Sequence, residues 1–199
     1  AAFAELIPPS PESIWYVSPV GNNSYDCHTP STACATINGA LSKAQPDDYI
    51  YVAGGVYTNP TGTEVVSISK DISLSGGWNN SFTSRSGVSI IDGQMTRRGV
   101  LIGDEVTVQI EYFTIQNCLS ADSEGGGVNV GNRSRVTLSH MLVQNNQAGK
   151  VDIFTTTEWS GGGIATGSYS LLKIIDSQIK YNTATDQAGG IKVGFSTLV

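Results

Sequence analysis

The sequence predicts an all-β protein of the β-solenoid class, with a short capping α-helix near its N-terminus. Three observations lead to this prediction: a repeat of roughly 28 residues, an alternation of apolar and polar residues within each copy, and a glycine cluster that follows the alternating segment of each copy. Repeats of this length built from short strands are typical of chains wound into stacked coils, in which each coil lies on the one before.

The composition is consistent with this class. The chain has 199 residues, of which 39% are hydrophobic and 14% are charged. Ordinary globular proteins carry about 25% charged residues, so the low charge argues against a disordered chain or a coiled coil. The net charge of −6 argues against a nucleic-acid partner, because it repels phosphate backbones. No apolar run approaches the roughly 20 residues that cross a bilayer, so no membrane span is expected in this segment.

The repeat is clearest in residues 106–118, 136–146 and 172–182. Aligning these segments places similar residues in three columns, which are Ile110, Leu138 and Ile174; Ile115, Val143 and Ile179; and Cys118, Asn146 and Asn182. The glycine clusters begin at positions 125, 161 and 189. A single insertion of 8 residues in the second copy, within residues 150–160, accounts for both unequal spacings, that of the columns and that of the glycine clusters.

Stacking gives each column a structural meaning. In parallel coils each residue lies about 4.8 Å above its equivalent in the coil below. The aliphatic columns then form the core, and Asn146 above Asn182 predicts an asparagine ladder. We expect Cys118, in the same position of the neighbouring coil, to be a buried and unreactive thiol. The glycines permit sharp turns because they adopt positive φ without steric cost.

Earlier segments are consistent with less regular coils. The strands predicted there cover residues 50–52, 65–68, 72–74, 88–91 and 100–102. The spacing of Ile37, Ala40, Leu41 and Ala44 predicts an amphipathic helix over residues 35–45, which Pro46 ends. We expect this helix to cover the first coil, since an open strand edge pairs with other chains; a helix packed on one side is the alternative.

The chain divides into an N-terminal extension and one domain. Residues 1–13 form the extension, and residues 14–199 form a single solenoid domain with a cap region over 14–60 and coils over 61–199. The sequence stops partway through a coil. Because a solenoid needs a cap at each end, we expect the domain to continue beyond residue 199 or to be covered there by another chain.

The cysteines indicate the compartment. Cys27 and Cys34 lie close together among polar turn residues, which favours a disulfide over two free thiols and an extracellular or cell-surface location. A zinc site is not expected, because Cys27, Cys34 and His28 would supply three ligands and the sequence offers no obvious fourth. Neither a metal nor a cofactor is predicted. The candidate N-glycosylation sites are the Asn-x-Ser sequons at Asn22, Asn79 and Asn132.

The repeat also resembles a known family. Gly-Gly-Ile occurs at residues 162–164 and 189–191, and aliphatic-x-x-Asn segments end at Asn146 and Asn182. This pattern resembles right-handed parallel β-helix proteins of the pectate-lyase-like superfamily. It is most similar to polymorphic outer-membrane proteins and related surface adhesins, which pair Gly-Gly-Ala-Ile with Phe-x-x-Asn. The resemblance implies a right-handed parallel β-helix over residues 14–199, but no particular activity, because this fold serves lyases, hydrolases, tailspikes and adhesins.

No catalytic residues are predicted. By the same resemblance, a calcium-dependent lyase needs clustered carboxylates and a basic residue, and a polygalacturonase-type hydrolase needs paired aspartates with a histidine. The acids here do not recur at one position of the repeat, and His28 and His140 are isolated in the sequence. The candidate acids are Asp104, Glu105, Asp122, Glu124, Asp176 and Asp186, and the candidate bases are Arg97, Arg98, Arg133, Arg135 and Lys173.

The insertion is the most individual feature of the chain. It carries Phe154 and Trp159, which either offer an aromatic platform to a glycan or fold back on the flank of the solenoid. The sequence favours an extracellular or cell-surface protein with a structural or adhesive role, in a filament or larger assembly. The alternatives are a carbohydrate-active enzyme, either a polysaccharide lyase or a glycoside hydrolase, and a glycan-binding module. The expected partners are glycans and, at the C-terminal edge, other protein chains or the remainder of a longer chain.

Overall fold

The structure, a computed structural model, describes residues 13–150, 159–195, 197 and 198. Nearly all regular structure in these residues is β, which confirms the predicted all-β class. A 3-10 helix covers Pro30–Thr32 and α1 covers Ile37–Leu41. The strands, in chain order, are β1 (Ile14–Val17), β2 (Tyr49–Ala53), β3 (Gly55–Tyr57), β4 (Glu64–Ile68), β5 (Ile72–Trp78), β6 (Ser89–Asp92), β7 (Arg98–Ile102), β8 (Thr107–Glu111), β9 (Phe113–Gln116), β10 (Leu119–Ser120), β11 (Val128–Val130), β12 (Arg135–Ser139), β13 (Leu142–Gln144), β14 (Gln147–Ala148), β15 (Ile164–Thr166), β16 (Leu171–Ile175), β17 (Gln178–Lys180), β18 (Thr183–Ala184), β19 (Ile191–Val193) and β20 (Thr197–Leu198).

These strands form four parallel sheets. Sheet I has the order β1-β2-β5-β8-β12-β16-β20, and sheet II has the order β3-β6-β9-β13-β17. Sheet III has the order β4-β7-β11-β15-β19, and sheet IV contains the short strands β10-β14-β18. From β2 onward the chain visits sheets I, II and III in a fixed sequence, so one such passage is called a rung. Parallel neighbours separated by a whole rung are the arrangement that stacked coils require.

The predicted register of the repeat is confirmed. Ile110 pairs with Leu138 and Leu138 with Ile174 in sheet I, while Val143 pairs with both Ile115 and Ile179 in sheet II. Residues in corresponding positions are 28 apart across the first step and 36 apart across the second. The longer step contains the predicted insertion, so the extra residues leave the strand pairing unchanged.

The core consists of side chains that alternate inward along the strands. Leu74, Ile110 and Leu138, on consecutive strands of sheet I, are fully or almost fully buried. Backbone also packs closely against backbone at the glycine clusters. A Cβ placed on Gly163 would lie 2.6 Å from the carbonyl oxygen of Gly190, and one on Gly127 would lie 2.5 Å from that of Gly163. The clusters therefore let neighbouring rungs approach closely at this turn.

The asparagine ladder is present at the corner after sheet II. The side-chain oxygen of Asn182 accepts hydrogen bonds from the backbone N–H and the side-chain amide of Asn146, each at 3.0 Å. The side chain of Asn146 in turn accepts from the N–H of Cys118 and donates to the carbonyl of Ile115, also at 3.0 Å. Cys118 is fully buried, and this burial raises the pKa of its thiol to about 12.

The N-terminal region differs in detail from the prediction. The helix expected over residues 35–45 is shorter at both ends, since α1 contains five residues. It begins after Thr36, whose hydroxyl accepts a hydrogen bond from the N–H of Gly39 at 3.0 Å. Near its end, the ammonium group of Lys70 donates to the carbonyls of Leu41 and Ala44 at 3.1 and 2.7 Å. These carbonyls are satisfied without a further helical turn.

Some features of the prediction stay predictions. The helix α1 packs against β1, β2 and β4. The strand pairing does not establish three of the predicted features: the role of α1 as a cap for the first rung, the closure of the coils and their right-handed winding. Conversely, β1 and the short strands of sheet IV were not predicted as strands. Among the described residues, no helix has the length and apolar character needed to cross a membrane.

Candidate functional site

A surface cleft of about 390 Å³ lies where the strands of sheet I end and the chain turns into sheet II. We call it the corner cleft and define it by Arg85, Val88, Tyr112, His140, Leu142 and Asp176. Its wall comes from turns of successive rungs together with the loop between β5 and β6. Its floor comes from the outer face of sheet II.

The turns place three side chains of this wall in one column. Tyr112, His140 and Asp176 directly follow β8, β12 and β16, and each has a positive φ, of 59°, 53° and 45°. This left-handed conformation bends the chain from one sheet into the next. The N–H of Tyr112 bonds the carbonyl of Ser139, and the N–H of His140 bonds that of Ile175, at 3.1 and 3.0 Å. The rungs are therefore tied together at this corner.

The side chains of the column stack on one another. The rings of Tyr112 and His140 are nearly parallel, with centroids 4.4 Å apart and an angle of 8° between their planes. The guanidinium carbon of Arg85 lies 4.0 Å from the centre of the Tyr112 ring and 4.9 Å from that of Trp78. Trp78 stacks in turn on Tyr51, with centroids 4.6 Å apart. The result is a continuous column of planar groups along the stacking direction.

Stacking determines what the column offers to a ligand. Tyr112 and His140 each cover one ring face of the other, so these faces are not available to a ligand in the cleft. Arg85 is held by an ion pair with Glu111 and by a 3.2 Å hydrogen bond to the carbonyl of Gly76. Nε2 of His140 lies 3.9 Å from a carboxylate oxygen of Asp176. The wall thus contains residues able to form hydrogen bonds, namely Arg85, Tyr112, His140 and Asp176.

The other side of the cleft is partly apolar. Val88 is 61% exposed. Leu142 is half-buried on the outer face of β13. A polar row facing an apolar strip is suited to a ligand that carries both hydroxyl groups and C–H surface. A saccharide has this combination.

Of the predicted aromatic platform of the insertion, Trp159 is not among the residues that line the corner cleft. Phe154 lies outside the described residues, so its contact with a glycan stays a prediction. Trp159 is half-buried, and its indole N–H is buried without a hydrogen-bond partner among the described residues. Its backbone N–H bonds the hydroxyl of Thr185 at 3.1 Å.

The three sequons differ in how their side-chain amides are used. The oxygen of Asn22, an exposed residue, accepts from the N–H and hydroxyl of Ser24. The amide nitrogen of Asn79 donates to two hydroxyls, those of Thr83 and Ser84, at 3.0 Å. Asn132 bridges two rungs, because its amide donates to Asp104 and its oxygen accepts from Ser168. Glycosylation at all three positions stays a prediction.

Cys27 and Cys34 form a disulfide, with their sulfur atoms 2.01 Å apart. Both are fully buried, and the nearby ammonium group of Lys43 donates to the carbonyls of Asn23 and Tyr25. A disulfide is compatible with an extracellular protein.

The acidic candidates are mostly used within the fold. Asp104 accepts from the N–H of Asn132 at 2.7 Å, and Glu124 pairs with Lys192 at 2.7 Å. In the part of the chain that the structure describes, no group of three or more His, Cys, Asp or Glu side chains is placed to hold a metal ion.

The expectation that His140 is isolated is wrong. It lies between Tyr112 and Asp176 in the column, because all three follow the aligned Ile110, Leu138 and Ile174 by two residues. The repeat alignment therefore contained the signal for this cluster. Arg85 had no such signal, since it lies in a loop outside the repeat.

Comparisons with known proteins add little to this geometry. No family model and no curated protein matches the chain. Among solved structures, a rhamnogalacturonan lyase matches with 15% sequence identity and a TM-score of 0.39. The match covers 92% of this chain and 62% of the lyase chain, so this chain spans less than two thirds of the length of that structure. A TM-score this low carries no argument about function.

Proposed function

We propose that the protein is an extracellular, right-handed parallel β-helix with an adhesive role, and that its corner cleft binds a glycan without cleaving it. The observation that carries the proposal is the column of Arg85, Tyr112, His140 and Asp176 beside an exposed apolar strip. Polar edges at regular spacing match the hydroxyls of a sugar chain that lies along the stacking direction.

The scaffold supports binding because it fixes these groups before a ligand arrives. Arg85, Tyr112 and His140 each stack on a neighbour in the column, so these three side chains have little freedom left to lose on binding. The wall extends over three rung spacings, about 14 Å, which suits a short stretch of an extended chain better than a single compact molecule.

The proposal includes a protein partner at the C-terminal edge, either another chain or the remainder of a longer chain. Leu138, Val143 and Ile164 are fully buried, whereas their equivalents one rung later, Ile174, Ile179 and Ile191, are only partly buried. Covering these three side chains would remove apolar surface from water, which favours a partner on this face.

Binding to a glycan array tests the proposed function. Tyr112→Phe removes one hydroxyl and leaves the ring stack in place, so we expect about fivefold weaker binding to the glycans that the unchanged protein recognises. Tyr181→Phe is a matched control, because Tyr181 is exposed and has the same positive φ, in the turn after β17. The absence of glycan binding, or an equal loss in the two variants, would contradict the proposal.

A second candidate function is a carbohydrate-active enzyme, and the contact between His140 and Asp176 favours it. A histidine near a carboxylate is able to accept and return a proton during cleavage of a sugar chain. Incubation with polygalacturonate and alginate, with and without calcium, tests this alternative. Turnover that disappears in His140→Gln but persists in Tyr181→Phe would replace the adhesive proposal with the enzymatic one.

A further inference from the structure

A second hollow lies at the opposite border of sheet I, where its strands begin. Its volume is about 770 Å³. We call it the cationic hollow and define it by Arg133, Arg135, Tyr169, Leu171 and Phe195. None of these residues belongs to the corner cleft.

The register of the rungs brings these residues together. Arg133 and Tyr169 each stand two residues before a strand of sheet I, and both have a positive φ, of 55° and 60°. The N–H of Tyr169 bonds the carbonyl of Phe195 at 2.6 Å, which places Phe195 beside it on the next rung. Arg135 pairs directly with Leu171 across β12 and β16. The hollow therefore lies on hydrogen-bonded backbone.

The hollow is positively charged on a protein whose net charge is −6. Two arginines line it, and no carboxylate is among the described residues that line it. Arg133 pairs with Glu105 at 3.0 Å, but both side chains are about two-thirds exposed, so this ion pair is weak. Within the residues that the structure describes, the side chain of Arg135 has neither a hydrogen bond nor an ion pair. An exposed guanidinium fork is thus available to an anion.

Two aromatic rings stand beside these arginines. Tyr169 is 76% exposed and Phe195 is 85% exposed, the latter among the highest values for a large apolar residue of this chain. Both residues line the hollow, so these exposed side chains form part of its surface. Their rings are free to pack on the apolar face of a ligand, unlike the mutually stacked rings of the corner cleft.

We propose that the cationic hollow binds an anionic saccharide, meaning a sugar that carries a carboxylate or a sulfate ester. The guanidinium of Arg135 binds the anionic group through paired N–H donors, and Arg133 adds a second contact when it leaves Glu105. Tyr169 and Phe195 pack against the C–H surface of the ring. This inference extends the proposed function but uses different residues, so the two can fail separately.

Titration calorimetry with three probes tests the inference: a heparin oligosaccharide for sulfate, a polygalacturonate oligosaccharide for carboxylate, and dextran as a neutral control. We expect one or both anionic probes to bind the cationic hollow, and we expect dextran not to bind it. Arg135→Gln should weaken the binding about tenfold, and Arg135→Lys should restore only part of it, because lysine keeps the charge but lacks the fork.

Lys180→Gln is the control for charge alone, since it removes one positive charge on sheet II. A loss in Arg135→Gln no larger than in Lys180→Gln would show general electrostatic attraction and overturn the inference. Binding of neither anionic probe would also overturn it. Tyr112→Phe distinguishes the two sites. It should leave the binding of the anionic probe to the cationic hollow unchanged, while it weakens the binding of a glycan to the corner cleft.

Discussion

Removal of the Asn146 side chain should destabilise the rungs on both sides of it. Asn146 is 1% exposed, and its side chain bonds the N–H of Cys118, the carbonyl of Ile115 and the side chain of Asn182. Asn146→Ala takes these hydrogen bonds from the buried Cys118 N–H and Ile115 carbonyl. Each buried backbone group that loses a hydrogen-bond partner costs about 1–3 kcal/mol, so two such groups give an expected loss of about 2–6 kcal/mol.

Hydrogen exchange is the appropriate assay, because a stack of repeats is able to open locally without unfolding as a whole. The amide of Cys118 should exchange faster in Asn146→Ala by a factor corresponding to this loss, while amides of β1 and β2 keep their protection. Urea denaturation of the same variant gives the global free energy of unfolding for comparison.

Gln144→Ala is the control, because Gln144 lies on the outer face of the neighbouring strand and is half-buried. We expect it to change stability by less than about 1 kcal/mol. Asn146→Ala with a loss as small as that of Gln144→Ala, or with unchanged exchange of the Cys118 amide, would refute the ladder as a stabilising element.

Three further predictions concern other parts of the molecule. Gly163→Ala should destabilise the protein by about 1–3 kcal/mol in urea denaturation. Gly190→Ala should be close to neutral, because a Cβ there meets nothing within 4 Å. Equal effects of the two substitutions would contradict the close packing of the rungs. Burial raises the pKa of Asp48, but its hydrogen bonds from three donors outweigh this, so the pKa lies below the ordinary value. The stabilisation by Asp48 should therefore be complete above its unfolded-state pKa and be lost as the pH falls through the lower folded-state pKa. Asp48→Asn should flatten the dependence of the thermal unfolding midpoint on pH in this acid range. The Cys118 thiol, with a pKa of about 12, should resist alkylation near neutral pH until denaturant is added; rapid labelling of the native protein, followed by mass spectrometry, would show that it is not buried.

Much of the strand arrangement could be predicted, because residues that stack on one another in the fold recur at matching positions of the sequence repeat. Residues that lie above one another share the same surroundings, so Leu138 and Ile174 are both aliphatic and Asn146 and Asn182 are both asparagine. A short strand such as β14 leaves no comparable pattern, since two residues are too few to show alternation. The strand β1 was missed for a related reason, because it stands outside the repeat.

The candidate sites followed from the sequence only in part. The alignment contained the column of Tyr112, His140 and Asp176, yet the histidine was interpreted as isolated because its partners are remote along the chain. Arg85 could not be placed at all. It belongs to an irregular loop, and only packing against Trp78 and Tyr112 fixes its guanidinium.

The class of fold and the register are encoded in the sequence, because the spacing of apolar residues and glycines identifies the residues that occupy equivalent positions in successive rungs. Only the folded structure shows how the side chains at the borders of sheet I pack and which loop residues, such as Arg85, join them. Turn residues such as His140 and Tyr169 are exposed and follow no hydrophobic pattern, so their neighbours are set by the bend of the backbone and the approach of loops. These contacts join residues far apart in the chain, and no local propensity encodes them.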